Sequence, residues 1–128
     1  MKKGDVILVE FPFTTLQARK QRPSVVLAVE EPDVTVAFVT SVLTHQQFYD
    51  VLLEPSASNG LKKISLVRVV KLATLDPSMV DGKLGELSPG ELAAIDQGMQ
   101  QGFQLVPPLG ASDILAGYIW EWTKVRVQ

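Results

Sequence analysis

Pro23-Ser24-Val25-Val26-Leu27-Ala28-Val29-Glu30-Glu31-Pro32-Asp33-Val34-Thr35-Val36-Ala37-Phe38-Val39-Thr40-Ser41-Val42 decides the fold class. Two runs rich in β-branched residues flank Glu30–Asp33, where Pro32 fixes φ and Asp33 can bond its own backbone. Proline suits the first position of a strand, so Pro23 to Val29 reads as one strand. Val34 to Val42 reads as its hairpin partner. Upstream, Asp5-Val6-Ile7-Leu8-Val9-Glu10-Phe11 is a further strand, stopped near Pro12 because proline cannot donate to a ladder. Thr14 to Gln21 reads as an exposed polar loop and Thr44 to Tyr49 as another. Asp50 to Glu54 gives a fourth strand, Asn59-Gly60 a turn and Ile64 to Leu72 a fifth strand. Gly82 and Gly85 flank Lys83-Leu84 in what reads as a short turn.

Beyond residue 75 the chain changes character. Ser88-Pro89-Gly90-Glu91 predicts a helix start, with serine as N-cap, proline at the first helical position and glutamate three residues after the cap. Leu92, Ile95, Met99 and Phe103 then recur at helical spacing and share one face. Gly90 and Gly98 each weaken such a helix by up to about 1 kcal/mol relative to alanine. Val106 to Gly110 looks like a linker. Ile119 to Val127 alternates and reads as a last strand, carrying Tyr118, Trp120, Trp122, Lys124 and Arg126 on one side. That stripe suits stacked bases, packing on the rest of the domain, or a groove-filling role.

The 128 residues are enough for one ordinary domain, and 46% hydrophobic with 20% charged is the balance of a soluble globular protein. There is no cysteine, which removes disulfides, thiolate metal sites and thiol nucleophiles, and fits a reducing compartment. No apolar run approaches a membrane span. Met1-Lys2-Lys3 followed by Gly4 and Asp5 does not suit a signal peptide, so the expectation is a cytoplasmic protein. With one histidine, His45, paired-histidine metal motifs are absent. No glycine-rich phosphate loop and no Gly-x-Ser-x-Gly elbow appears.

Net charge is −2, yet its distribution is uneven. Lys2, Lys3, Arg19, Lys20 and Arg22 outnumber Asp5 and Glu10; Lys62, Lys63, Arg68 and Lys71 stand against Glu54. A fold that joins these stretches presents a positive face on an acidic molecule. Otherwise they are ordinary solvated lysines and arginines. What remains for chemistry is arginine, threonine and serine near strand ends, a set that can stabilise a charged phosphorane without a metal.

The ordered set Gly4 to Phe13, Arg22-Pro23-Ser24-Val25-Val26-Leu27, Val39-Thr40-Ser41 and Ser65-Leu66-Val67-Arg68 resembles the MazF/PemK (Kid-like) toxins. Lys71 to Asp76 and Lys83 to Pro89 follow the same pattern, and the match covers about residues 3–104. The resemblance implies a mainly β domain with a C-terminal helix, an SH3-like small barrel over 1–104, followed by an extension over 105–128. It implies a homodimeric endoribonuclease that cuts single-stranded RNA without metal or other cofactor, leaving 2′,3′-cyclic phosphate ends. A cognate antitoxin would hold it in check, and no membrane is involved. Carried over by position, Arg22 contacts the scissile phosphate, Thr40 positions the nucleophile, and Arg68 is a transition-state clamp, since arginine is a poor proton donor. Ser41, Lys20 and Arg19 are the candidate substrate-binding residues. Family members often carry an aspartate, a candidate general base, where this chain has Val70. Glu10, Asp50 and His45 are then the alternatives for the base. The competing reading is a non-catalytic barrel that acts by binding a protein.

Overall fold

Alternating burial along the strands shows how one sheet serves two apolar cores. The computed structural model describes residues 1–11 and 20–106. Strands β1 (Asp5–Phe11), β2 (Lys20–Glu30), β3 (Asp33–Thr40), β4 (Val51–Leu53), β5 (Ser65–Leu75) and β6 (Val80–Glu86) precede helix α1 (Pro89–Gly102). A 3-10 turn, Pro77–Met79, joins β5 to β6. The strands form one antiparallel sheet in the order β4-β5-β3-β2-β1-β6. Successive side chains in a strand point to opposite faces. One set, including Val6, Val25, Ala37, Val39, Val67 and Val69, packs with Leu53, Leu61 and Leu87 beneath Ile95 of α1. The other set, Ile7, Val9, Val26, Val34, Val36 and Leu75, packs on the opposite face. The expected mainly β class with a C-terminal helix is the fold observed.

The sheet curls without closing strand on strand. Among the described residues its edges, β4 and β6, share no ladder; the turn after β4 bridges them instead. Glu86 N–H donates to the Ser58 carbonyl at 2.8 Å, and the Ser58 hydroxyl donates to the Glu86 carbonyl at 3.0 Å. Asn59, wholly buried, holds that turn through both ends of its amide. Its oxygen accepts from Ser56 and Leu61 N–H, and its nitrogen donates to the Glu54 carbonyl and to Glu91 of α1. Gly60, at φ +72°, brings its backbone against the Leu84 carbonyl, where a side chain has no room.

Helix α1 begins as its sequence dictates. Ser88 Oγ accepts from Glu91 N–H at 3.1 Å, and Glu91 accepts from Ser88 N–H at 2.8 Å, a reciprocal capping box. Ile95 is buried and Leu92 and Met99 are half-buried against the sheet, but Phe103 is the C-cap and 41% exposed. Its place on the apolar stripe therefore does not bury it.

Several boundaries differ from the sequence reading: β5 runs on to Leu75, three residues past the expected Leu72, and β4 is trimmed to Val51–Leu53. Gly82 and Gly85 lie within β6, not in a turn. They fall at the register shifts between β6 and β1, where glycines accommodate a bulge and erase the apolar alternation that marks a strand. β2 begins at Lys20, so Lys20 and Gln21 are strand and not loop. β3 ends at Thr40, whose hydroxyl accepts Val42 N–H at 3.1 Å and starts a turn. Arg19 and the strand expected over Ile119–Val127 lie outside the described residues, as does the extension beyond Val106. No helix among the described residues is long and apolar enough to cross a membrane.

Candidate active site

The register of the sheet brings the singled-out residues to one end of one face. Ser24 of β2 stands opposite Phe38 of β3, which stands opposite Arg68 of β5. Two residues further along their strands, on the same side by the two-residue period, come Arg22 and Thr40. Arg22, Thr40 and Arg68 thus line a single open cleft of about 480 Å³, with Ser24, Phe38, Val42, His45 and Lys71. A second lobe of about 530 Å³ shares Arg22, Pro23, Val39 and Thr40 with the first and adds Lys20, Ser41, Lys62 and Lys63. Lys20 and Arg22 of the first basic stretch therefore meet Lys62, Lys63, Arg68 and Lys71 of the second on one surface, whereas Lys2 and Lys3 pair elsewhere with Glu86 and Asp96.

Each predicted side chain has a definite setting. Arg22 is exposed and has no ion-pair or hydrogen-bond partner among the described residues. Thr40 is half-buried; its oxygen is occupied by Val42 N–H, which leaves the hydroxyl proton to be donated. Lys20 and Ser41 are exposed in the second lobe. Arg68 is 22% exposed, with Nε 3.1 Å from Asp50 Oδ2. The contact is an ion pair whose angle is too poor for a hydrogen bond.

Arg68 owes its placement to an irregularity in β5. Ala37 pairs with Leu72 while its neighbour Phe38 pairs with Arg68, so Val69, Val70 and Lys71 stand opposite no residue of β3. Bulges re-aim side chains and concentrate beside functional sites. Here the bulge sends Lys71 into the cleft and packs Val70 against the core beneath α1. The position where relatives often carry an aspartate is thus turned away from the cleft.

Among the three alternatives for the base, His45 lines the cleft and is exposed. Asp50 has a side chain 0% exposed beneath Arg68, and Glu10 lines neither lobe. Sequence reasoning missed Ser24, whose hydroxyl is buried at the wall of the first lobe without a hydrogen-bond partner among the described residues. It also missed Phe38 and Lys71 as cleft residues; only register could have found them. Among the described residues, no three His, Cys, Asp or Glu side chains cluster as metal ligands would.

Residues 2–103 match the family described as PemK-like, MazF-like toxin of type II toxin-antitoxin system. No curated protein matches the sequence significantly. Among solved structures, the fold is similar to an endoribonuclease in complex with its cognate antitoxin from a mycobacterial species. That likeness has 18% identity and a TM-score of 0.68, over 84% of this chain and 99% of that one. It is similar also to the Mycobacterium tuberculosis toxin MazF-mt6, at 21% identity and a TM-score of 0.66, over 80% and 99% of the two chains. A chain of the MazE-MazF structure from Deinococcus radiodurans gives 18% identity and a TM-score of 0.67, over 83% of this chain and 97% of that one. At these identities the likeness shows the fold.

Proposed function

Because the chain belongs to the PemK-like, MazF-like toxin family of type II toxin–antitoxin systems, we propose that it is a metal-independent endoribonuclease cutting single-stranded RNA in the cytoplasm. The observation that carries this reading is the meeting of Arg22, Thr40 and Arg68 in one open cleft that continues into a lobe lined by Lys20, Lys62 and Lys63. Such a groove suits a flexible polyanion, with lysines on flanking phosphates and arginine forks on the one that reacts.

In the reaction the ribose 2′-OH attacks its own phosphodiester. A P–O2′ bond forms and the P–O5′ bond breaks, giving a 2′,3′-cyclic phosphate and a 5′-hydroxyl. Arg22 and Arg68 neutralise the charge that develops on the phosphorane oxygens, where preorganised donors count most. The Thr40 hydroxyl donates a hydrogen bond to a phosphate oxygen or to the 2′ oxygen, holding the nucleophile in line. His45 is the group the cleft offers to take the 2′-OH proton, and water supplies a proton to the leaving 5′ oxygen. Ser41 and Lys20 bind the adjoining strand, with Arg19 as their companion in the sequence.

A cognate antitoxin belongs to this reading, since the family works in pairs and one similar structure is an endoribonuclease with its cognate antitoxin. So does a homodimer, for which the exposed apolar side chains Phe48, Leu52 and Ile64 offer surface. The test is digestion of mixed-sequence RNA by purified protein in excess EDTA, with mapping of the ends. Cyclic-phosphate and 5′-hydroxyl ends are expected. Intact RNA, or 5′-phosphate ends, defeats the proposal.

A further inference from the structure

Asp50 is not part of the cleft wall, yet the second arginine of the cleft rests on it. Its carboxylate makes three contacts. Oδ2 lies 3.1 Å from Arg68 Nε and accepts Gln47 N–H at 3.0 Å, while Oδ1 accepts Val69 N–H at 3.3 Å. The β4–β5 ladder explains the geometry: Val51 pairs with Val67, so Asp50 follows directly opposite Arg68. Val69 opens the bulge of β5, where β3 supplies no partner, and Asp50 provides the missing acceptor. Asp50 N–H also donates to the Gln47 carbonyl at 3.0 Å, closing the end of the loop that carries His45.

A carboxylate with no exposed surface and all of these contacts is a poor proton acceptor for substrate, because a general base must reach the proton it removes. It is well placed for another task. Arginine is a long side chain with much rotational freedom, and a clamp that must be ordered during the reaction stabilises the transition state less than one ordered beforehand. Contact through Nε leaves both terminal nitrogens for a phosphate.

Building on the nuclease reading, we propose that Asp50 is a positioning residue, holding Arg68 through Nε so that its terminal nitrogens meet the scissile phosphate already oriented. The experiment compares Asp50→Asn in the wild-type and Arg68→Ala backgrounds, with kcat and KM on mixed-sequence RNA, beside NMR relaxation of the Arg68 side-chain Nε in the wild-type protein. In the wild-type background kcat is expected to fall about tenfold or more with KM within about threefold, the mark of a group acting in the transition state. In the Arg68→Ala background the same change is expected to alter kcat less than about twofold, because coupled residues are not additive. A role confined to folding would cost the same in both backgrounds, and that result overturns the inference. So does wild-type kcat in a folded Asp50→Asn protein. If the variant does not fold, the wild-type protein still decides: the Arg68 side chain should be ordered at Nε in the absence of RNA, and a guanidinium that reorients freely refutes the pairing. Wild-type protein that leaves RNA uncut brings down the nuclease reading and this inference together; active wild-type protein with uncoupled residues brings down this inference alone.

Discussion

Gly98 of α1 is seated directly on the carbonyl oxygen of Tyr49, with the methyl groups of Val51 and Val69 close on either side. The residue that looked like a weak point in the helix is the point where the helix touches the chain just before Asp50.

Gly98→Ala should therefore destabilise the protein, although alanine favours the helix by about 1 kcal/mol. Its Cβ meets backbone, which yields less readily than a flexible side chain, and such overpacking costs about 1–3 kcal/mol or more. A net loss of about 2 kcal/mol, with lowered cleavage as Tyr49 and Asp50 shift, is expected in urea melts. Gly90→Ala is the control: open space surrounds that position, so stability should hold or rise. Equal effects at the two sites would contradict the contact.

Arg22→Ala and Arg68→Ala should each lower cleavage tens-fold or more, about 2 kcal/mol or above in transition-state stabilisation, with the fold intact. Arg22 is exposed and has no partner among the described residues, so its loss should leave the melting temperature within a degree or two of wild type. Loss of Arg68 leaves the buried Asp50 carboxylate without its cation, held only by the Gln47 and Val69 N–H groups, so some stability should go with it. Cells expressing the double variant should escape growth arrest. Near wild-type cleavage by both single variants removes these roles.

His45→Ala should cut the rate about a hundredfold while RNA affinity changes little, because proton transfer typically contributes about 10²–10⁴-fold. Added imidazole should restore part of the activity, since a small base can occupy the vacated space in an open cleft. Full activity without imidazole would take the proton-accepting role from His45.

How far the sequence could be read follows from these same residues. The hairpin, the strand before it and the Ser88–Glu91 capping box were legible because alternation and caps are local. β6 was not, because Gly82 and Gly85 serve its register shifts and interrupt the apolar pattern. Arg22, Thr40 and Arg68 were picked out by family resemblance, and their convergence is a consequence of register. Asp50 could be named as an acid but not as the partner of Arg68, since that pairing depends on where β5 bulges. Gly98 was misjudged for the same reason: a contact with Tyr49 is tertiary information.

The acidic and basic limits of stability should show the cluster on β6. The hydrogen bond from Lys83 Nζ to Glu86 Oε1, 2.7 Å, and then the charge of Lys2 hold the Glu86 carboxyl below its ordinary 4.5. Glu86, and then Asp5, raise Lys83 above its ordinary 10.5. A depressed carboxyl contributes stability above its unfolded value and loses it as pH falls; a raised amine contributes below its unfolded value and loses it as pH rises. At low salt this contribution should be level between about pH 4.5 and 10.5 and decline outside that window. Glu86→Gln should soften both declines. Lys2, Lys83 and Glu86 are exposed while Asp5 is buried, so high salt should shrink the part of the difference that Glu86 carries, and superimposable melts at low salt would show that the cluster contributes nothing.

Val70→Asp is the informative attempt to restore the acid that related toxins often carry. Val70 sits in the β5 bulge and packs with the core beneath α1, so close to the helix that a Cβ on Gly102 would lie 2.8 Å from its Cγ1. A carboxylate placed there would sit among the apolar side chains of that core, and burying an unpaired polar group costs about 1–3 kcal/mol by mutational measures. It also points away from Arg22, Thr40 and the reacting phosphate, so it cannot serve as a base. The variant should therefore melt earlier and cut RNA no faster than wild type when both are assayed well below their melting temperatures. A rise in kcat would mean that the bulge turns over when RNA binds, bringing position 70 into the cleft and Lys71 out of it.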